Sequence, residues 1–174
     1  IPFLDPSKPG VIIIGPWRGN PDELPIFNEA LKKWQNISNW PVFADPLSGL
    51  SNDCPGLIYY WELLLSGRGL RVNQELQVLR LGTLPTSRIL ESWIASLGQE
   101  QVLITEGDLR VLDPIGVAKQ WSNGFASWME AFLKSSKFSP SKLSSKNSIN
   151  FIRELKNKDE LISASIKQNL SLKE

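Results

Sequence analysis

Histidine is absent from all 174 residues, and cysteine and methionine occur once each. Without histidine the chain cannot build a Ser-His-Asp or Cys-His nucleophile, nor a His-ligated zinc site. A lone Cys54 excludes an internal disulfide, and its neighbours Asp53 and Pro55 give no reason for a reactive thiolate. The net charge is only +1, so no overall field draws nucleic acid. No apolar run approaches the roughly 20 residues of a membrane span. The opening IPFLDPSKPG has neither the charged start nor the apolar core of a signal peptide. It also lacks an initiating Met, and the chain reads as a piece excised from something longer.

What is present fits a globular α/β chain. Apolar residues make up 41% and charged residues 21%, both ordinary values. The charge is unevenly spread. Residues 134–174 carry nine Lys/Arg against four Asp/Glu, and residues 1–133 carry ten against fourteen. The tail is basic and the rest mildly acidic.

The stretch Leu79–Ile104 organises the reading. Leu76–Leu81 predicts a buried strand, Gly82 ends it, and Thr86 and Ser87 offer helix caps. Arg88–Leu97 sets Ile89, Leu90, Trp93, Ile94 and Leu97 at helical spacing. Val102–Thr105 starts another strand. Upstream, Gly10–Gly15 is a β-branched run of the kind covered on both faces. Asn20-Pro21 opens a helix carrying Leu24, Phe27, Leu31 and Trp34 inward. Trp40–Ala44 predicts a short strand. Leu57–Leu65 suits a buried helix or a strand, and its leucines favour the helix. Downstream, Glu106–Asp108 predicts a turn, Arg110–Asp113 a short element and Lys119–Trp121 an edge strand. A helix comes next, from Ser122 or Asn123 through Leu133.

Strands alternating with helices predict a doubly wound, mostly parallel sheet of five or six strands with helices on both faces. Residues 1–135 form this α/β domain. Residues 136–174 form a Ser- and Lys-rich linker and a C-terminal helix over Ile149–Leu172. That helix carries Ile152, Leu155, Leu161, Ile162 and Ile166, with no obvious partner in the preceding residues. Part of it is expected to pack on a domain outside the chain. Of the seven tryptophans, Trp34, Trp93 and Trp128 fall on inward helix faces. Trp17, Trp40, Trp61 and Trp121 lie near element ends, where they could line a contact between domains.

Few segments carry chemistry. Gly15–Gly19 sits where a dinucleotide loop would sit, but Pro16 and Trp17 are bulky where a backbone must approach a pyrophosphate. Asp45–Gly49 reads as a turn or as a loop lining a cleft at the carboxyl edge beside Thr86–Arg88, and Asp113-Pro114 reads as a turn. Arg88 breaks a local rule, because a cation in the first helical turn opposes the macrodipole by about 0.3–1 kcal/mol. Either it extends into solvent, or it joins the loop N–H groups as a clamp for a carboxylate or phosphate at a strand tip.

Four blocks in this order resemble one known family: GVIIIGP at Gly10–Pro16, WPVFADPLSG at Trp40–Gly49, LRLGTLPTSRILESW at Leu79–Trp93, and LDP at Leu112–Pro114. They are similar to the central domain of the 2-succinyl-5-enolpyruvyl-6-hydroxy-3-cyclohexene-1-carboxylate synthases of menaquinone and phylloquinone biosynthesis. The likeness covers about residues 9–135. It implies a cytoplasmic, homo-oligomeric enzyme of three domains, with thiamine diphosphate and Mg2+ held by the outer two. The central domain is doubly wound and binds no cofactor or metal of its own. The whole enzyme decarboxylates 2-oxoglutarate and adds the succinyl unit to isochorismate, with neither nucleic acid nor membrane as partner. The resemblance places Thr86, Ser87 and Arg88 on a substrate carboxylate and assigns no catalytic residue to this chain. Some relatives carry a second basic residue after the first; here that position is Ile89. Two other readings stay open: the central domain of another thiamine-diphosphate enzyme, some of which bind a flavin or adenine nucleotide there, and a stand-alone flavodoxin-like binding module.

Overall fold

A computed structural model describes residues 1–67, 76–98, 100–135 and 145–171. Its centre is set by three apolar strands. β1 (Gly10–Ile14), β3 (Gln77–Leu81) and β4 (Gln101–Ile104) are buried at every position. Residues with both faces covered have no reason to alternate in polarity, which explains the unbroken GVIII run. β2 (Val42–Ala44) and β5 (Lys119–Trp121) flank them. The five strands are all parallel, in the order β2-β1-β3-β4-β5.

Helices cover both faces of this doubly wound sheet. Asn20 caps a short 3-10 turn by accepting the N–H of Asp22, and Pro21 opens that turn. α1 (Leu24–Ser38) comes directly after it and ends on Asn39 in the left-handed region. α4 (Phe125–Lys134) lies on the same face. Together they bury Phe27, Leu31, Trp34, Trp128 and Phe132 against Ile12, Ile14, Leu79 and Leu81. The other face carries α2 (Trp61–Ser66), α3 (Arg88–Ser96) and part of α5 (Lys146–Ser171). Leu64, Leu90, Ile94 and Leu155 pack there on Val11, Ile13 and Val78.

Four expectations change. Leu57–Leu65 is not one helix. Leu57 bridges Val42, and the Ile58 N–H bonds the Val42 carbonyl at 3.0 Å, so the chain passes beside β2 there, turns at Tyr59-Tyr60 and becomes helical only at Trp61. Arg110–Asp113 forms no regular element and is held by side chains instead. Trp40 and Trp61 are core residues rather than domain-contact residues, with their indole N–H groups bonded to the carbonyls of Lys8 and Ala44. Finally, α5 has a partner within the chain. Leu155 is 1% exposed, and Asp159, 7% exposed, accepts the backbone N–H groups of Tyr59 and Tyr60 at 3.1 and 2.7 Å. It thereby satisfies donors at the start of α2 that would otherwise be orphaned. Leu161 and Leu170 of the same helix remain exposed. The lead-in Arg71–Glu75 and most of the linker 135–148 fall outside the described residues.

Candidate functional site

The strand order puts a topological switch point between β1 and β3, since the chain leaves these neighbours in opposite directions. Open α/β sheets bind ligands at the carboxyl ends of such strands. A small crevice lies there, walled by Pro16, Trp17 and Arg18 after β1, Thr83 after β3, and Thr105, Glu106 and Asp108 after β4. The loops meet tightly. A Cβ added to Gly15 would lie 1.6 Å from the Thr83 carbonyl oxygen, so only glycine lets these two strand ends approach. Trp17 packs edge-on against Phe27 at 4.9 Å.

The polar groups of this rim are mostly engaged. Glu106 accepts the Phe125 N–H at 2.9 Å and so caps α4; burial raises its carboxyl above the usual range. Asp108 takes Nε and Nη2 of Arg110 at 3.0 and 2.7 Å, which hold its carboxyl down at about 2. Thr105 donates its hydroxyl to the Asp108 carbonyl at 2.7 Å. Sequence reasoning read Glu106–Asp108 as a plain turn. The signal available was position, because acidic residues directly after a buried parallel strand stand at the ligand-binding edge.

The residues singled out from sequence sit beside this crevice and do not line it. Ser87 is the N-cap of α3, its hydroxyl accepting the Leu90 N–H at 3.3 Å. Thr86 and Arg88 are exposed. Arg88 is the first residue of α3 and enters none of the ion pairs formed among the described residues. Its charge stands at the positive end of a nine-residue helix whose first turn also carries Glu91.

A different arginine is spent on structure. Arg80, in mid-strand β3 and 1% exposed, donates Nη1 to Asp113 Oδ1 at 2.5 Å. Asp113 also accepts the N–H groups of Ile115, Val117 and Ala118 at 3.1, 2.7 and 2.7 Å. Burial works against the charged carboxylate, but the Ala118 N–H and the Arg80 guanidinium outweigh it and leave the Asp113 carboxyl lowered. The Asp113-Pro114 turn of the sequence is thus a buried anchor that ties the β4–β5 connection to the sheet.

Sheet order and the helices on both faces define a doubly wound α/β domain with a crevice at the switch point of its strand tips. No family model matches the chain. It is 55% identical over 128 residues to 2-succinyl-5-enolpyruvyl-6-hydroxy-3-cyclohexene-1-carboxylate synthase of Prochlorococcus marinus strain MIT 9303, covering 73% of this chain and 22% of that protein. The synthase of Prochlorococcus marinus strain SARG is 46% identical over 162 residues, covering 93% of this chain and 28% of that protein. That of Synechococcus sp. strain CC9902 is 50% identical over 128 residues, 74% of this chain and 22% of that protein. The chain matches one domain of 2-succinyl-5-enolpyruvyl-6-hydroxy-3-cyclohexene-1-carboxylate synthase, and spans 22–28% of the length of these curated relatives.

Proposed function

We propose that the chain is the central domain of such a synthase, a transferase of menaquinone and phylloquinone biosynthesis working in the cytoplasm. The whole enzyme decarboxylates 2-oxoglutarate and joins the succinyl unit to isochorismate. Thiamine diphosphate supplies the carbanion chemistry when bound. The described residues of this chain do not fit that cofactor or its Mg2+. They contain no group of three or more His, Cys, Asp or Glu able to hold a metal, and Pro16 and Trp17 fill the loop where a diphosphate would need open backbone. On this reading the cofactor and metal are held by the flanking N- and C-terminal domains of a homo-oligomeric enzyme. No helix among the described residues is long and apolar enough to cross a membrane.

The domain's own contribution is positioning. Arg88 is the observation that carries the reading: an exposed guanidinium, unpaired among the described residues, on the N-terminus of α3 beside the strand tips. Such a group recognises a carboxylate through paired N–H donors, reinforced by the helix end. Thr86 adds a hydroxyl. Ser87 contributes indirectly, since its cap on Leu90 fixes where α3 begins. One acid docked here would be held while bond formation proceeds on the neighbouring domains.

The test uses the full-length synthase. A charge-assisted bond of about 1.5–3 kcal/mol predicts that Arg88→Ala lowers kcat/KM for isochorismate roughly 10- to 100-fold. The value for 2-oxoglutarate should change far less. Unchanged kinetics for both substrates would make Arg88 an ordinary surface residue. Pro16 and Trp17 in the switch-point loop also stand against one alternative, a nucleotide-binding central domain of another thiamine-diphosphate enzyme. Tight calorimetric binding of FAD or ADP would decide for it.

A further inference from the structure

The two most exposed large apolar side chains among the described residues are Leu109, 81% exposed, and Val111, 88% exposed. They flank Arg110 on the connection from β4 to β5. A floppy loop bearing two apolar residues would mean little, but this one is staked throughout. Asp108 Oδ1 accepts both the Arg110 N–H and Nε–H at 3.0 Å, and Oδ2 accepts Nη2 at 2.7 Å. Gln120 reaches back from β5, donating to the Arg110 carbonyl at 2.7 Å and accepting the Leu112 N–H at 3.2 Å. Thr105 holds the Asp108 carbonyl, and the Arg80–Asp113 pair fixes the far end.

The ordering entropy of the tip is already spent, so anything that covers it loses little further freedom. The charges at the tip are also mutually satisfied, with Asp108 and Arg110 locked as a bidentate pair. An apolar knob with no unpaired charge has the makeup of an interface core, which is depleted in free charge.

We propose that Leu109–Val111 is a docking knob for the remainder of the same polypeptide, seated in an uncharged apolar pocket of a flanking domain. This rests on the reading of the chain as one domain of a longer synthase. Length supports that occupant, because the matching relatives extend well beyond the 22–28% of them that the chain spans. Size supports it as well. Two side chains fall far short of the roughly 800 Å² per partner of a stable interface between separate molecules. A covalently joined partner acts at an effective concentration in the millimolar range, where so small a contact suffices. The knob lies just beyond β4 at the strand-tip edge, so the domain seated on it would be held against the edge that carries Arg88.

The variants Leu109→Cys and Val111→Cys of the full-length synthase test this by maleimide labelling, quantified peptide by peptide. At such exposure, an uncovered thiol reacts at nearly the rate found in the urea-unfolded enzyme. Docking predicts labelling at least tenfold slower in the native enzyme at both positions, unchanged on dilution to the monomer. Labelling at the unfolded rate in an active synthase overturns the knob and leaves the Arg88 reading intact. Protection lost on dilution transfers the site to a second copy and overturns the assigned occupant. A full-length product without synthase activity removes the reading on which the proposal rests.

Discussion

The two faces of the sheet are held by different means. Under α1 and α4 the core is aromatic and free of charge. Trp34 meets Trp40, Trp128 and Phe132 at ring separations of 5.4, 5.1 and 5.1 Å in edge-on packing, the geometry aromatic pairs prefer. Under α2, α3 and α5 the core is largely aliphatic, with Phe43 and Trp61 stacked at 5.9 Å and two buried carboxylates fixed at its margins. The difference arises from the covering elements. Two regular amphipathic helices seal the first face, with Phe3 and Leu4 of the lead-in packed beside them. The second has one regular helix, the nine-residue α3, and is otherwise closed by the six-residue α2, a helix from the distant tail and a connection with no helix at all. Short or irregular covers leave backbone N–H groups to be satisfied, and Asp113 and Asp159 satisfy them.

Cutting the polar stakes should therefore cost more than trimming the aromatic face. The largest effect is expected from Asp113→Ala, which strands Arg80 as an uncompensated buried charge, at about 3–5 kcal/mol by urea unfolding. Removing both charges in Arg80→Met/Asp113→Ala should cost less than Asp113→Ala alone. A double variant weaker than the single would argue that the pair matters only for its backbone bonds. Asp159→Ala comes next, at about 2 kcal/mol, since it uncaps α2 and frees α5 together. Trypsin should then cut faster at Lys156 and Lys158. Phe132→Leu on the aromatic face should lose only about 1–2 kcal/mol, because an all-apolar site can close around the deficit. A loss equal to that of Asp113→Ala would erase the contrast between the faces.

The smallest effects are in pH dependence, and they differ in sign along the rim. The Glu106 carboxyl is raised by burial, so the native state keeps this proton to higher pH than the unfolded chain does. Its contribution is present at low pH and is lost as pH rises through the raised value. Glu106→Gln should flatten that slope with little change in midpoint. Asp108 behaves oppositely. Depressed to about 2 by Arg110, its contribution is complete above the unfolded carboxylate range and lost as pH falls toward 2. Stability curves of the chain and of Glu106→Gln and Asp108→Asn variants, measured from pH 2 to 8, would separate the two.

The legible parts were those whose signal is local. β1, β3 and β4 were marked by apolar runs between turn residues, α1 by its Asn20-Pro21 start and α3 by the Ser87 cap, which the structure places one residue before the helix begins. Edge strand β5 appeared where expected. Misread segments depended on distant partners. Leu57–Tyr60 is not helical because Val42 bonds its start and Asp159, about 100 residues away, holds the N–H groups of the turn residues Tyr59 and Tyr60 at its end. Trp40 looked peripheral because it stands next to Pro41 and β2, yet Trp34 and the Lys8 carbonyl enclose it. Arg80 passed unnoticed inside an apolar run, since nothing in Leu79–Leu81 tells that a carboxylate 33 residues later will meet it.

By itself the sequence determined the doubly wound plan, the exclusion of histidine and disulfide chemistry, and the odd position of Arg88, all written in residue type and short-range spacing. Tertiary structure alone decided which charges are spent and which remain free. Arg80 and Asp113 neutralise each other inside the fold while Arg88 stays at the rim, because an ion pair depends on distance in space and charge patterning along the chain carries no such distance.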